Sequence, residues 1–183
     1  AGGLTDTEKQ AGMALFCCAL PLWGMVMESR EVTAANAIQP RIMPCRVQKM
    51  QRLSHDVMLL LLKLPSNERM QFLAGQYVDF LLKDGKRRAF SLANAPHSDD
   101  LLEVHLRLIP GGQFTEYVFN EMQEKAIMRL EGPFGSFYLR EDNDRPIIFV
   151  AGGTGFAPIK GIIEHALHHG IKRQMILYWG ART

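Results

Sequence analysis

A run of glycines between two apolar segments is the feature that most limits how this chain can fold. Residues 147–150 read Ile-Ile-Phe-Val, residues 152–155 are mostly glycine, and residues 157–169 carry apolar side chains at helical spacing. An unbroken apolar run is typical of a parallel strand that is buried on both faces, and Pro158 suits the first turn of a helix. With a second apolar run at residues 175–179, the pattern predicts two parallel strands joined through a helix by a right-handed crossover.

The glycine turn is also a candidate phosphate site, formed by Gly152, Gly153, Thr154 and Gly155. Glycine lets the backbone approach a ligand closely, and the first N–H groups of the following helix favour an anion. The alternative is a tight turn that binds nothing. The second strand ends at Gly180-Ala181-Arg182, without the acidic residue that usually holds a ribose hydroxyl. Arg182 at this position is suited to contact a phosphate instead. The sequence therefore does not distinguish between NADH and NADPH as the nucleotide.

The middle of the chain carries a different pattern. Short apolar or alternating segments, separated by Gly, Pro, Asn or Asp, occur at residues 46–52, 57–64, 77–82, 89–93 and 102–109. Many short strands with turn signals between them predict an antiparallel barrel or sandwich. One helix is predicted at residues 114–122, with Thr115 as its N-cap.

The first 35 residues differ from the rest of the chain. Thr5 and Glu8 have the spacing of a helix start, and short strands are predicted at residues 14–18 and 26–28. Residues 33–44 contain two prolines and several small side chains, which is typical of a linker.

The segment Arg88-Ala89-Phe90-Ser91 is a candidate cofactor site on one of the predicted strands. Alternation along a strand places Arg88 and Phe90 on one face, and Ala89 and Ser91 on the other. Arginine binds phosphate strongly, an aromatic ring packs against a flat cofactor, and a serine hydroxyl bonds to a ring nitrogen. The alternative is an ordinary strand with a basic edge.

A second glycine turn, Gly111-Gly112-Gln113-Phe114-Thr115, opens the predicted helix in the middle of the chain. It is either another anion site or a loop with a capping threonine. On the later helix, His165, His168 and His169 are close enough in sequence to share a face. They are either part of a metal site or a solvated helix end.

Composition excludes some classes of protein. The 183 residues carry a net charge of only +2, which argues against a nucleic-acid-binding protein. No apolar run approaches the ~20 residues that span a bilayer, and the basic start of a secretory signal is missing, so we expect a cytoplasmic protein without a membrane span. Three cysteines at irregular spacing do not form a disulfide framework.

Together these motifs resemble the ferredoxin-NAD(P)+ reductase superfamily, and within it the CDP-6-deoxy-glucoseen reductase type and the related oxygenase reductases. Arg88-Ala89-Phe90-Ser91 matches the family's Arg-x-Tyr-Ser flavin motif, and Gly153-Thr154-Gly155 with Pro158 matches its nicotinamide motif. The resemblance implies an all-β antiparallel flavin-binding barrel followed by the start of an α/β parallel nucleotide-binding domain. A remnant of a β-grasp ferredoxin module would precede them. The implied domains are residues 1–40, 41–143 and 144–183.

The resemblance also implies a role for each motif residue. Arg88 would contact the FAD phosphate, Phe90 would pack against the isoalloxazine beside Leu92, and Ser91 would bond near the flavin atom N5. Gly112, Gln113, Phe114 and Thr115 would bind the FAD pyrophosphate, while Gly152, Gly153, Thr154 and Gly155 would bind the nicotinamide nucleotide, with Thr154 nearest the ring. Ser91 and Thr154 are thus the expected catalytic pair, and they must face each other across one cleft.

The resemblance further identifies Cys17 as a ligand of a plant-type [2Fe–2S] cluster. The other three cysteines would lie before Ala1, so only the full-length protein would hold the cluster. The chain starts without methionine and stops directly after a predicted strand, so we expect a part of a longer protein.

The expected activity is passage of a hydride from NAD(P)H to FAD, and then of single electrons to an iron–sulfur centre and a downstream acceptor protein. The alternatives are a flavin reductase that releases its flavin, a non-catalytic electron-transfer subunit and an inactive fragment.

Overall fold

A computed structural model describes residues 5–14, 20 and 38–181 of the chain. The chain divides into two compact units, Ala1–Asn36 and Ala37–Thr183. In the first unit, helix α1 (Asp6–Gln10) starts at a capping box: the Thr5 hydroxyl accepts from the Glu8 N–H, and the Glu8 carboxylate accepts from the Thr5 N–H. The predicted helix start is confirmed. The strands predicted at residues 14–18 and 26–28 lie outside the described residues, except for Ala14.

Six antiparallel strands form the first part of the second unit. Their bounds are β1 (Arg41–Arg52), β2 (Val57–Lys63), β3 (Tyr77–Leu81), β4 (Arg87–Ser91), β5 (Leu102–Arg107) and β6 (Ile127–Phe134). Their order in the sheet is β4-β3-β6-β1-β2-β5. The two edge strands meet through a bridge between Leu92, just after β4, and Val104 in β5, which closes the sheet into a barrel. The predicted antiparallel barrel is confirmed.

The barrel forms because apolar side chains alternate along its strands. In β2 every second residue is buried, and the interior is filled by side chains such as Leu60, Phe80 and Leu106, none of which is exposed. Strand β1 begins at Arg41, so the predicted linker to Pro44 is wrong over its last four residues. The reason is that Met43 and Cys45 enter the core in β1, and Pro44 pairs with Arg129 of β6.

One helix, α2 (Gln113–Asn120), packs Phe114 and Val118 against the barrel. Its N-cap is Gly112 and not Thr115, so the predicted cap is wrong. The Thr115 side chain is buried, and its hydroxyl lies within hydrogen-bond distance of the backbone of Ile109 and Gly112. It therefore shapes the preceding loop instead of capping the helix.

The last part of the unit is the predicted strand–helix–strand. Its elements are β7 (Ile147–Gly152), α3 (Phe156–His168) and β8 (Met175–Gly180), and the two strands pair in parallel. The helix covers one face of the strands only, where Phe149 packs with Ile159 and Ile162. On the other face Val150 is 76% exposed. The prediction that residues 147–150 are buried on both faces is therefore wrong for the described residues.

Helix α3 also rests directly on the barrel. A Cβ built on Gly161 would lie only 2.9 Å from the carbonyl oxygen of Asn94. Beside it, Lys160 Nζ donates to the carbonyl oxygen of Ala93 at 3.2 Å. This close contact sets where the glycine turn before α3 lies relative to β4 and β5. Among the described residues, no helix has both the length and the apolar content needed to cross a membrane.

Candidate functional site

Strand β4 presents two neighbouring arginines that have different partners. Arg87 pairs with the carboxylate of Glu131 and lies 3.8 Å from Asp79, so its charge is compensated. The guanidinium of Arg88 donates to the carbonyl oxygen of Arg87 at 2.8 Å, and no carboxylate of the described residues pairs with it. Arg88 is thus an exposed cation, available to an anion such as a phosphate.

Phe90 links the barrel core to the site. Its ring centroid lies 5.7 Å from that of Phe80 and 5.7 Å from that of Phe114 at the start of α2. Packing against these rings fixes the orientation of Phe90 while leaving it partly exposed. Ser91, the next residue, is also partly exposed and pairs with Tyr77 of β3.

The loop before α2 has a conformation that depends on glycine. Gly111 has a φ of 74°, and a Cβ on Gly112 would lie 2.9 Å from the carbonyl oxygen of Ile109. The helix after this loop directs its first N–H groups, which have no partners within the helix, toward the loop. The loop and the first turn of α2 are therefore suited to an anion.

The glycine turn after β7 consists of a single 3-10 turn, Gly153–Gly155, that leads directly into α3. Gly153 has a φ of 52°, which is the left-handed region. A Cβ on Gly152 or on Gly155 would meet nothing within 4 Å, so both glycines border open space. The turn thus offers backbone N–H groups at a helix start with room in front of them.

These three segments surround one hollow of about 520 Å³, here called the Ser91 hollow. The motif residues that line it are Arg88, Ala89, Phe90, Ser91, Gly112, Phe114, Thr115, Thr154 and Gly155. Ser91 and Thr154 therefore line the same cleft, which their predicted roles require. Four other predicted residues are not part of this lining: Leu92 is buried in the core, and Gly152 and Gly153 line a neighbouring hollow. Gln113 is exposed and is not part of the lining.

Two family models match this chain. The oxidoreductase FAD-binding domain matches residues 44–138, and the oxidoreductase NAD-binding domain matches residues 149–183. The chain belongs to the oxidoreductase FAD-binding domain family.

Known relatives agree with this assignment. The chain is 37% identical to the CDP-6-deoxy-L-threo-D-glycero-4-hexulose-3-dehydrase reductase of Yersinia pestis, over 97% of this chain and 53% of that protein. It is 45% identical to the terephthalate 1,2-dioxygenase reductase component 1 of a Comamonas species, over 70% of this chain and 38% of the relative. The crystal structure of the Amycolatopsis cytochrome P450 reductase GcoB superposes with a TM-score of 0.75 at 34% identity, covering 98% of this chain and 55% of that one. The chain thus spans about half the length of the Yersinia and Amycolatopsis proteins.

A larger hollow of about 830 Å³, here called the Trp179 hollow, adjoins the first one. Gly153, Phe156 and Trp179 form one wall, and the hairpin between β1 and β2 forms another. His105, Arg107 and Thr154 line both hollows, so they stand at the boundary between them. In a flavin-binding fold of this family, two adjoining hollows provide room for two ligands side by side.

Strand β5 supplies site residues that the sequence reasoning missed. Glu103, His105 and Arg107 alternate with buried Val104 and Leu106, so their side chains share the face that lines the Trp179 hollow. The signal in the sequence was three polar residues in alternation on a predicted strand. It was not recognised because only tertiary structure brings this face against α3.

Glu103 is the centre of a polar cluster at this boundary. His105 Nε2 lies 2.7 Å from one carboxylate oxygen, and Lys160 Nζ lies 3.2 Å from the other. Burial alone would raise the pKa of Glu103, but the hydrogen bond with His105 and the charge of Lys160 outweigh it and lower the pKa. The cluster joins the barrel to α3 through an ionised carboxylate.

Arg107 faces the glycine turn from the barrel side. Its Nε donates to the carboxylate of Asp56 at 3.0 Å, which fixes the side chain. Its Nη1 lies 3.9 Å from the position of a Cβ built on Gly153. The Arg107 guanidinium thus lies beside the turn that was predicted to bind a phosphate.

The remaining predictions concern other parts of the chain. Arg182 and Cys17 lie outside the described residues. His165 pairs with Glu141, and the His168 ring stacks on that of His97 at 3.7 Å. In the described part of the chain, no group of three or more His, Cys, Asp or Glu side chains is placed to hold a metal ion.

Proposed function

We propose that this chain is the flavin- and nicotinamide-binding part of an NAD(P)H-dependent reductase. The observation that carries the proposal is the Ser91 hollow, where the exposed Arg88, the loop at Gly112 and the turn at Thr154 converge on one space. In this assignment residues 41–143 bind FAD, and residues 144–183 begin the nucleotide-binding domain.

The residues around the Ser91 hollow fit FAD in their chemistry. No carboxylate of residues 5–14, 20 or 38–181 pairs with Arg88, so its positive charge and the backbone N–H groups of the first turn of α2 together suit a pyrophosphate. The hydroxyl of Thr115 is engaged within its own loop, so we assign the pyrophosphate to the backbone of residues 112–115. Phe90 offers a partly exposed ring that packs against two neighbouring rings, and Ser91 offers a hydroxyl.

When bound, FAD supplies a ring that accepts a hydride and releases electrons one at a time. Ser91 would hydrogen-bond to the ring near N5, and Phe90 would hold the ring in place. Gly153, Thr154 and Gly155 would bind the nicotinamide nucleotide in the Trp179 hollow. Thr154 would then position the nicotinamide at the boundary that it shares with the Ser91 hollow.

The acceptor is proposed from the relatives. One is named as a hexulose-dehydrase reductase and another as the reductase component of a dioxygenase. We assign this chain the same class of role: it passes single electrons to an iron–sulfur centre and onward to a protein acceptor. Cys17 is our proposed ligand of a [2Fe–2S] cluster in the full-length protein, which we place in the cytoplasm.

The test is a titration of the purified chain with FAD, followed by addition of NADH or NADPH without oxygen. The proposal expects a yellow complex with bound flavin, whose absorbance bleaches with one of the two nucleotides. A colourless chain that consumes nucleotide only when free flavin is added would instead identify a flavin reductase. Bound flavin that neither nucleotide bleaches would identify a non-catalytic binding module or an inactive fragment.

Two adjacent arginines provide a matched pair for this titration. Arg88→Gln removes the uncompensated charge and is expected to weaken FAD binding roughly 10- to 100-fold, the value of one charge-assisted hydrogen bond. Arg87→Gln removes a charge that Glu131 already compensates, so it should leave FAD binding within about twofold of the wild type. Equal FAD affinities of the two variants would contradict the assignment of Arg88.

A further inference from the structure

The glycine turn after β7 is held by a side chain from the neighbouring strand. The indole Nε1–H of Trp179 in β8 donates to the carbonyl oxygen of Gly153 at 3.0 Å. Parallel pairing puts Trp179 opposite Ala151, two residues before Gly153, so the register of the two strands brings the indole to the turn.

The indole is itself held in place. Its ring stacks on that of Phe156 with centroids 4.4 Å apart and an interplanar angle of 19°. Phe156 is the first residue of α3 and comes directly after the turn. The Trp179 side chain therefore has a fixed ring and a directed N–H group, although it is 54% exposed.

The bond from Trp179 restrains the orientation of one peptide unit of the turn. The carbonyl of Gly153 and the N–H of Thr154 belong to the same planar trans peptide, so they point in opposite directions. The Gly153 oxygen also accepts from the Phe156 N–H, which directs it along α3. The Thr154 N–H consequently points toward the open N-terminal end of the helix, opposite to the Gly153 carbonyl.

This restraint matters because the turn is rich in glycine. Gly153, which precedes the 153–154 peptide, has a φ of 52°, and glycine has access to many backbone conformations. If the 153–154 peptide rotated by half a turn, a carbonyl oxygen would replace the Thr154 N–H and repel an anion. An unrestrained turn would lose affinity for a phosphate because only part of its population would bind.

We propose that Trp179 is a positioning residue for the nicotinamide nucleotide: its indole N–H holds the Gly153–Thr154 peptide with the Thr154 N–H toward the bound phosphate. Trp179 acts through the backbone of the turn and does not itself need to touch the ligand. The inference rests on the proposed function, because it assumes that the turn binds a nucleotide.

The experiment compares Trp179→Phe with Trp179→Leu in the full chain loaded with FAD. Phenylalanine keeps an aromatic ring over Phe156 and loses only the N–H, whereas leucine loses both. Tyr178→Phe is the control, since Tyr178 is the exposed neighbour on the same strand. Binding of NAD+ and NADP+ is measured by calorimetry, and the Thr154 amide is followed by nuclear magnetic resonance without nucleotide.

Trp179→Phe is expected to weaken binding of the nucleotide about 3- to 10-fold, the usual effect of one lost hydrogen bond. Its Thr154 amide signal should shift or broaden, while its melting temperature stays close to that of the wild type. In turnover with the bound flavin, KM should rise and kcat should change little. Tyr178→Phe should match the wild type in all these measurements.

The outcomes separate this inference from the proposed function. If wild type and Trp179→Phe bind nucleotide equally well, or if the Thr154 amide is unchanged, the positioning role is overturned and the reductase proposal stands. If only Trp179→Leu weakens binding, packing and not the N–H matters, and the positioning role is again overturned. If the wild type binds neither NAD+ nor NADP+, the proposed function fails and this inference with it.

Discussion

Replacement of Gly161 by alanine tests how the position of α3 controls the site. The added Cβ would lie 2.9 Å from the carbonyl oxygen of Asn94, and ordinary contacts begin at 3.4 Å. The obstacle is backbone and not a flexible side chain, so α3 must withdraw by about 0.5 Å from the barrel. The glycine turn precedes α3 directly, so Thr154 would move away from Ser91 by a similar distance.

Two opposing effects set the stability of Gly161→Ala. Alanine is favoured over glycine within a helix by about 1 kcal/mol. Overpacking a tight contact costs about 1–3 kcal/mol. The expected net effect is a loss of about 0–2 kcal/mol, which lowers the melting temperature of a chain of this size by roughly 0–8 °C.

The effect on function is expected to be larger than the effect on stability. A misplacement of 1 Å between reacting groups costs about 100-fold in rate, so 0.5 Å corresponds to about tenfold. The measurement is stopped-flow bleaching of bound FAD by NADH at saturating nucleotide, with thermal unfolding followed in parallel. Leu167→Ala is the control, because this side chain on the same helix is 68% exposed. A Gly161→Ala protein that is more stable than the wild type and bleaches at the same rate would refute the argument that this contact aligns the site.

Three further predictions concern other described residues. Ser91→Ala is expected to retain FAD and to slow its reduction by NADH about tenfold, since one hydrogen bond to the ring is lost; stopped-flow absorbance checks this. The pKa of Glu103 is lowered from 4.5: burial opposes the charge, but the partners His105 and Lys160 outweigh it. Its contribution to stability is therefore present above pH 4.5 and lost as the pH falls through the lowered value, so unfolding of Glu103→Gln by denaturant should depend less on pH in that acidic range. Burial raises the pKa of the Cys45 thiol to about 12, so iodoacetamide should leave Cys45 unlabelled in the native protein and label it after unfolding, as read by peptide mass spectrometry.

Much of the fold was predictable because its signals are local. Alternating apolar residues identified the strands of the barrel, and the sequence Gly-Gly-Thr-Gly between an apolar run and a helical pattern identified the strand–helix–strand unit. The errors have physical causes as well. Thr115 has the residue type of an N-cap, but its burial directs the hydroxyl to the loop backbone, so Gly112 takes the cap position. Val150 lies in an apolar run but is exposed, since α3 covers only one side of its strand.

The candidate site was likewise predictable only in part. The sequence by itself determined which motifs are present, because Arg88, Ser91 and Thr154 lie in short segments whose spacing is visible in one dimension. Only the tertiary structure decided that these segments share a hollow and that Trp179 reaches the turn at Gly153. It also decided that Glu131 pairs with Arg87, whereas no carboxylate of the described part of the chain pairs with Arg88. The physical reason is that these contacts depend on strand register and on how α3 packs against the barrel. Both join residues far apart in the chain, and no local pattern records them.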